Sequence, residues 1–301
     1  MLVPCYNEQA TIGKVVDDFR AALPDAQVYV FDNCCTDDTA AIAVRHGATV
    51  MRECRPGKGY VVESMLDRVD ADFYVMVDGD DTYEASRAGD LLAPVLAGQA
   101  DMAVGARLTQ YDDRSFRPLH VIGNGLVRGL INKIFRAKLT DIMSGYRAFN
   151  RRVVQRVPVV SSGFEVETEL TVQMLYYRLK IVEVQVPYRG RPEGSFSKLN
   201  TFRDGARVLW KIFNLFRAFK PLTFFGGAGI LLTLLGLLAG LFPVMEYVQD
   251  PTHYIHHVPL AILATGLILL GAISAFMGLL LHAINWRFKE LHNLMTRGGR
   301  T

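Results

Sequence analysis

The sequence predicts an α/β domain on a mostly parallel, doubly wound sheet, followed by a basic amphipathic segment and two membrane-spanning helices. Three observations carry that expectation. Short apolar runs alternate with helix-period segments up to Val104, polar and charged residues gather directly after those runs, and two long stretches without charge lie near the end of the chain.

The elements follow in order. The chain opens on Met1-Leu2-Val3 and reaches a loop signal at Pro4. A strand usually runs about 5–6 residues, so the expectation is a first strand whose beginning precedes Met1. Ile12, Val15, Val16, Phe19 and Leu23 keep the spacing of one helix face, and Thr39 to Val44 resembles a second helix. Gln27–Phe31, Ala48–Met51, Phe73–Val77 and Met102–Val104 are predicted strands. Ligands of such sheets bind outside the carboxyl ends of the strands. Asn7 and Glu8, Asp32, Arg55 to Gly59, and Asp78 to Asp81 all stand directly after a predicted strand.

Phe224–Val244 and Val258–Ile284 carry no Asp, Glu, Lys or Arg. Each is long enough to cross a hydrocarbon core of about 30 Å. Arg203, Arg207, Lys211, Arg217 and Lys220 precede the first stretch, and Arg287, Lys289, Arg297 and Arg300 follow the second. The loop between them holds Glu246 and Asp250 but neither Lys nor Arg. Positive residues stay cytoplasmic, so the soluble domain and both termini are expected in the cytoplasm of a multi-pass inner-membrane protein. Phe202–Phe219 interleaves Phe, Trp, Leu and Ile with Arg and Lys, the pattern of a helix lying in the bilayer interface. The expected division is thus 1–199 catalytic, 200–220 juxtamembrane, 221–286 spanning and 287–301 tail.

Composition excludes several classes. The net charge of +3 owes much to the juxtamembrane cluster, and the soluble part has no basic stripe, which argues against nucleic acid. Cys5, Cys34, Cys35 and Cys54 lack CxxC spacing, so reduced and mostly buried thiols are expected, not a disulfide framework or zinc site. His253, His256 and His257 read as exposed loop histidines. Self-association into a homo-oligomer is compatible with the sequence and unspecified by it.

The sharpest chemical feature is Asp78-Gly79-Asp80, closing the strongest predicted strand. Acidic turns are common, so such a pair alone is weak evidence. A departing diphosphate, however, needs its charge neutralised, and a hard divalent cation held by one or two carboxylates does this. Pro4-Cys5-Tyr6-Asn7-Glu8, Asp32-Asn33-Cys34-Cys35-Thr36-Asp37-Asp38-Thr39 and Arg55-Pro56-Gly57-Lys58-Gly59 precede it in order. Asp37 and Asp38 suit the first turn of a helix, where its dipole favours negative charge.

Taken together, these segments resemble family-2 glycosyltransferases of the GT-A fold, whose motifs read P-x-Y-N-E, D-[ND]-x-S-x-D-x-T, R-x-G-K-G and D-x-D. Asp141-Ile142-Met143-Ser144-Gly145-Tyr146-Arg147 looks like the D-x-x-S-G-[FY]-[RK] segment of the polyprenyl-phosphate branch, which includes dolichyl-phosphate mannose synthase. Arg191-Pro192-Glu193-Gly194-Ser195-Phe196-Ser197-Lys198-Leu199 is similar to that branch's R-x-x-G-x-S-K-L segment.

The resemblance implies that Pro4, Tyr6, Asn7, Glu8 and Asp32 line the base and ribose pocket, with Lys58 and Asp78 on the donor side. Asp80 becomes the chief ligand of Mg²⁺ or Mn²⁺, with Asp78 beside it, and Asp80, Asp141 and Arg147 are the implied catalytic set. Arg117, Arg191, Ser197 and Lys198 are the candidates for acceptor phosphate, with Arg147 also considered as a clamp. Among Glu165, Glu167 and Glu169, one is expected to face the site and two to be solvated. Two positions depart from the pattern: Thr82 stands where mannose synthases place a metal-holding Gln, and Cys35 where Ser is usual.

The implied reaction is inverting transfer of a hexose or N-acetylhexosamine from a nucleotide sugar to undecaprenyl or dolichyl phosphate at the cytoplasmic membrane face, for cell-envelope glycan biosynthesis. UDP-sugars are favoured, with GDP-mannose or another lipid-linked glycan acceptor as alternatives. A processive polysaccharide synthase would carry Q-x-x-R-W, which is absent near Phe213–Arg217. A nucleotidyltransferase would not account for the acceptor-side segments, and a decayed scaffold would be expected to lose Asp80.

Overall fold

A computed structural model of the chain describes residues 1–108, 118–192, 201–252 and 254–298. It divides into two compact units, Met1–Ile212 and Phe213–Thr301.

The first unit is built on a seven-stranded sheet of order β3-β2-β1-β4-β6-β5-β7. The strands are β1 (Leu2–Cys5), β2 (Tyr29–Asp32), β3 (Thr49–Arg52), β4 (Phe73–Met76), β5 (Met102–Leu108), β6 (Arg147–Asn150) and β7 (Ile181–Pro187). All neighbours pair in parallel except β6, which runs antiparallel to both β4 and β5. The sheet is the mostly parallel one that the sequence implies. β1 is short, with Leu2–Cys5 in register with Tyr29–Asp32 and buried throughout.

Side chains of the central strands alternate between two cores, as strand geometry requires. Val3, Val30, Val75 and Ala148 face a cluster with α1 (Ile12–Ala22) and with Leu91 and Val95 of α4 (Ala88–Leu96). Leu2, Phe31, Met76 and Phe149 face the other cluster, with Val61, Val62 and Met65 of α3 (Lys58–Arg68) and Val166, Leu170 and Met174 of α7 (Val166–Tyr176). Between these lie α2 (Thr39–Arg45), α5 (Pro118–Phe135) and α6 (Arg151–Arg156). The predicted strands shift by a residue or two, and the last extends to Leu108.

The antiparallel β6 positions the site. Met76 and Val104 both pair with Arg147 at the start of β6. The loop Asp141–Tyr146, entering that strand, therefore arrives at the same sheet edge as the carboxyl ends of β4 and β5. β7 leaves at this edge too, and Tyr188 bridges to Tyr83 just after it.

The second unit contains α9 (Pro221–Gln249) and α10 (Val258–Gly298), preceded by α8 (Thr201–Phe219), which straddles the boundary of the units. α9 and the part of α10 from Val258 to Leu291 are long and apolar enough to cross a membrane. Small residues let the two helices approach closely: a Cβ on Gly229 would lie 2.7 Å from the Gly271 carbonyl oxygen, and one on Gly236 2.9 Å from that of Ala264. In the connecting loop, exposed His256 and His257 contact Glu246 at 3.2 and 3.1 Å, whereas His253 lies outside the described residues. Of the thiols only Cys5 is buried, so the expectation of mostly buried cysteines is corrected: Cys34 and Cys35 are half-buried in the loop after β2, and Cys54 is exposed.

Candidate active site

Loops after β1, β2 and β3 form one side of the site through mutual hydrogen bonds. Asn7 adopts a left-handed φ of 54°, tolerable for a short polar side chain, and its Oδ1 accepts from the Thr36 amide at 2.8 Å. The Glu8 amide donates to Thr39 Oγ1 at 2.8 Å, and buried Asp32 accepts from the Cys35 amide at 2.7 Å. Asn33 Nδ2 donates to the carbonyls of Glu53 and Arg55, while its Oδ1 accepts from the Gly57 amide. This single amide joins the β2 and β3 loops. Pro4 stands inside β1 in register with Phe31, and Tyr6 is exposed at the rim. Asp37 accepts from the amide and hydroxyl of Thr39, the first residue of α2, in keeping with a place at the start of that helix.

Lys58 is held at the entrance to α3 by backbone contact. The Gly59 amide donates to the Ser162 carbonyl at 3.2 Å, and a Cβ on Gly57 or Gly59 would overlap the Ser162 or Ser161 carbonyl. Gly57 also has φ of 137°, which L side chains rarely adopt. The Ser161 segment is fixed in turn by buried Glu169, which accepts from the Val160 and Ser161 amides at 3.1 and 2.7 Å. These glycines thus permit a close approach that aims Lys58 inward.

The Lys58 ammonium lies 2.5 Å from both Asp78 Oδ1 and Glu167 Oε1. Burial disfavours its charge, but the two carboxylates outweigh burial and raise its pKa above the ordinary lysine value. Glu167 is therefore the site-facing member of its acidic trio. Glu169 is buried and structural, not solvated as expected, and Glu165 accepts from the Gly163 amide.

Asp80 is buried at 4% exposure, with its two oxygens engaged by different partners. Oδ1 accepts from the Thr82 hydroxyl at 2.6 Å and Oδ2 meets the Arg191 guanidinium at 2.7 Å. Burial and the neighbouring Asp78 charge raise its pKa, against the opposing influence of Thr82, Arg191 and Lys58. Arg191 reaches this carboxylate because the chain after β7 is tied to the residues after Asp80. Tyr188 bridges to Tyr83, the Arg189 amide donates to the Thr82 carbonyl at 2.9 Å, and Arg189 pairs with Glu84. Arg191, expected on acceptor phosphate, is thus placed against Asp80. Arg117, Ser197 and Lys198 lie outside the described residues.

The expectation for Arg147 is corrected. Arg147 has no exposed surface. Its donors go to the carbonyls of Ile142, Ser144 and Glu167 and to Thr171 Oγ1, and burial lowers its pKa. A guanidinium committed to the interior has no face left for a phosphate, so Arg147 braces the loop against α7. Asp141 is half-buried, and Arg107 grips it at 2.6 and 3.0 Å. Burial works to raise its pKa, but the Arg107 contacts prevail and lower it. Glu183 accepts from the Thr140 and Asp141 amides and completes the clasp. Asp141 is thus held in place by Arg107 and by its own loop. Gly145 in this loop packs where a Cβ would overlap the Asp78 carboxylate. Arg107 was missed because the predicted strand stopped at Val104. Extending it would have put Arg107 near a strand's carboxyl end, where the same topological rule found the other residues.

The donor set can be tested against a divalent cation. Asp78 and Asp80 offer hard carboxylate oxygens at one strand end, the kind of ligand a hard divalent cation takes. No group of three or more His, Cys, Asp or Glu side chains that could hold a metal ion occurs among the described residues. The protein would supply only part of a shell, leaving positions for phosphate and water. That fits Mg²⁺ or Mn²⁺ bound together with a diphosphate.

Comparison with known proteins identifies the family and the fold. The profile for glycosyl transferase family 2 matches residues 1–157. The chain is 33% identical over 281 residues to glycosyltransferase AglJ of Haloferax volcanii, covering 93% of this chain and 91% of that protein. It is 30% identical over 205 residues to a dolichyl-phosphate hexose transferase of the same organism, covering 67% of this chain and 87% of the relative. Among solved structures, its fold matches Mycobacterium tuberculosis glucosyl-3-phosphoglycerate synthase, crystallised with Mn²⁺, UDP-glucose and phosphoglyceric acid. The TM-score is 0.60 at 23% identity, over 71% of this chain and 78% of that one. With the family profile spanning more than half of the chain and one relative a third identical over nearly its whole length, the chain belongs to glycosyltransferase family 2 and is a nucleotide-sugar-dependent transferase of GT-A fold.

Proposed function

We propose that the chain transfers a hexose or N-acetylhexosamine from a UDP-sugar to polyprenyl phosphate at the cytoplasmic face of the inner membrane, with inversion at the anomeric carbon. The observation that carries this reading is the pairing of Asp80 with Arg191 beside the Lys58–Asp78–Glu167 cluster, in a chain that also has two helices of membrane-spanning length. The similarity to a dolichyl-phosphate hexose transferase and the Mn²⁺ and UDP-glucose in the structural neighbour support it. So do exposed Leu209, Trp210 and Phe213 on α8, which suit an interfacial helix.

In this mechanism Asp32, Asn7 and Glu8 orient the nucleoside. Asp80 and Asp78 would hold Mg²⁺ or Mn²⁺, which supplies charge neutralisation for the departing diphosphate. Lys58 keeps Asp78 and Glu167 in place and balances their charge. The acceptor phosphate is already ionised near neutral pH, so its oxygen can attack the anomeric carbon without a strong base, as the bond to the diphosphate breaks. Catalysis then rests on positioning and on preorganised charge. Lys198, Ser197 and Arg117 are proposed for the acceptor phosphate. The residues 1–199 would be catalytic, 200–220 interfacial and 221–286 spanning. A panel of radiolabelled nucleotide sugars, incubated with membranes and polyprenyl phosphate, tests the donor: UDP-glucose or UDP-N-acetylglucosamine should label lipid, and labelling by GDP-mannose alone would reject the UDP assignment.

A further inference from the structure

We propose that Arg191 and the divalent cation are alternative partners of Asp80, so that metal arriving with the donor's diphosphate frees Arg191 to turn onto phosphate. This rests on the reading that the site takes a metal-bound nucleotide sugar.

Both oxygens of Asp80 are already engaged, Oδ1 by the Thr82 hydroxyl and Oδ2 by the Arg191 guanidinium at 2.7 Å. A hard divalent cation sits about 2.0–2.6 Å from a carboxylate oxygen. Bound to Oδ2 with Arg191 still in place, it would bring two positive centres to within about 5 Å of each other beside a buried carboxylate, where such repulsion is poorly screened. One cation must yield.

Of the two nearby protein cations, it is Arg191 that meets Asp80, while Lys58 meets Asp78 and Glu167. Lys58 has 13% of its side chain exposed and is gripped by two carboxylates from separate elements, Asp78 and Glu167. Arg191 has 28% exposed and stands just beyond the last backbone tie to the Thr82 segment, at Arg189. Its main chain is therefore anchored within reach of Asp80, and its side chain is the more exposed of the two. The diphosphate that brings the metal also offers the guanidinium a new anionic partner of matching geometry.

The consequence is thermodynamic coupling. Metal alone must displace Arg191 into water and binds weakly, whereas metal with a nucleoside diphosphate gives Arg191 a replacement partner and binds tightly. Mn²⁺ binding to the purified full chain in detergent, followed by the electron paramagnetic resonance of free Mn²⁺ with and without UDP, tests this without any turnover. In the wild type, UDP should tighten Mn²⁺ binding at least about tenfold. Arg191→Gln should bind Mn²⁺ alone about tenfold more tightly than wild type, the scale of one charge-assisted hydrogen bond, and lose most of the UDP effect. Arg191→Lys, which keeps the charge, should stay near wild type for Mn²⁺ alone. Unchanged or weaker Mn²⁺ binding by Arg191→Gln, with UDP still tightening Mn²⁺ in the wild type, overturns the exchange but leaves the transferase reading standing. Failure of the wild type to bind Mn²⁺ even with UDP overturns both.

Discussion

Replacing Lys58 by Met removes the ammonium while keeping most of the stem. Its nitrogen lies 2.5 Å from two carboxylates, and the Glu167 side chain is 5% exposed, so both anions lose their counter-charge in a largely dry setting. Breaking a buried ion pair from one side costs about 3–5 kcal/mol. A domain of this size has a total stability of about 5–15 kcal/mol, so the fold should persist but weaken. At about 2–4 °C per kcal/mol, the melting temperature in detergent and chelator should fall on the order of 10 °C. Adding Glu167→Gln should recover part of that loss, because one stranded charge disappears, whereas transfer activity should not return. Circular dichroism melts of the wild type, the two single variants and the double variant form a double-mutant cycle. A fall of less than about 2 °C in Lys58→Met, or no recovery in the double variant, would refute the assignment of Lys58 as the buried counter-ion.

Three further outcomes are expected. Gly59→Ala should place a methyl group against the Ser161 carbonyl and displace Lys58, lowering transfer at least about tenfold while secondary structure by circular dichroism is retained. The Glu53 carboxyl is held at about 2 by its hydrogen bond to Arg55, below its ordinary 4.5. Its contribution to stability is therefore complete above about 4.5 and lost as pH falls toward about 2, so Glu53→Gln should flatten the acid limb of a stability–pH curve over that window. Reporter fusions at Gln249 and after Thr301 should report outside and inside the cell respectively, and an external C-terminal reporter would reject the orientation.

The site was legible in sequence where chemistry follows strand ends. Asn7, Asp32, Lys58 and Asp78 lie one after another along the chain, and a parallel sheet brings them to one edge. The rest depends on contacts far apart in sequence. Arg147 sits in a segment that reads as phosphate-binding, yet its partners at Ile142, Ser144 and Glu167 turn it inward. α7 went unpredicted because every residue from Val166 to Met174 is buried, polar ones included, which leaves no apolar stripe to detect. The same burial hides the difference between Glu167, which faces Lys58, and Glu169, which secures the Ser161 backbone. β7 does alternate apolar and polar residues from Val182, but what matters for the site is its exit toward Thr82, and no local pattern shows that.

In the proposed reaction the diphosphate, its charge neutralised by a cation that Asp80 would hold, leaves the anomeric carbon as a lipid phosphate attacks it. The most direct measurement is transfer of radiolabel from a UDP-sugar into an organic-extractable lipid by purified protein, with polyprenyl phosphate and Mn²⁺ each supplied or withheld, for wild type and Asp80→Asn. Labelled lipid should form only when both are present, and Asp80→Asn should lower turnover by about three orders of magnitude or more. Full labelling in excess chelator, or by Asp80→Asn, or without polyprenyl phosphate, would contradict it.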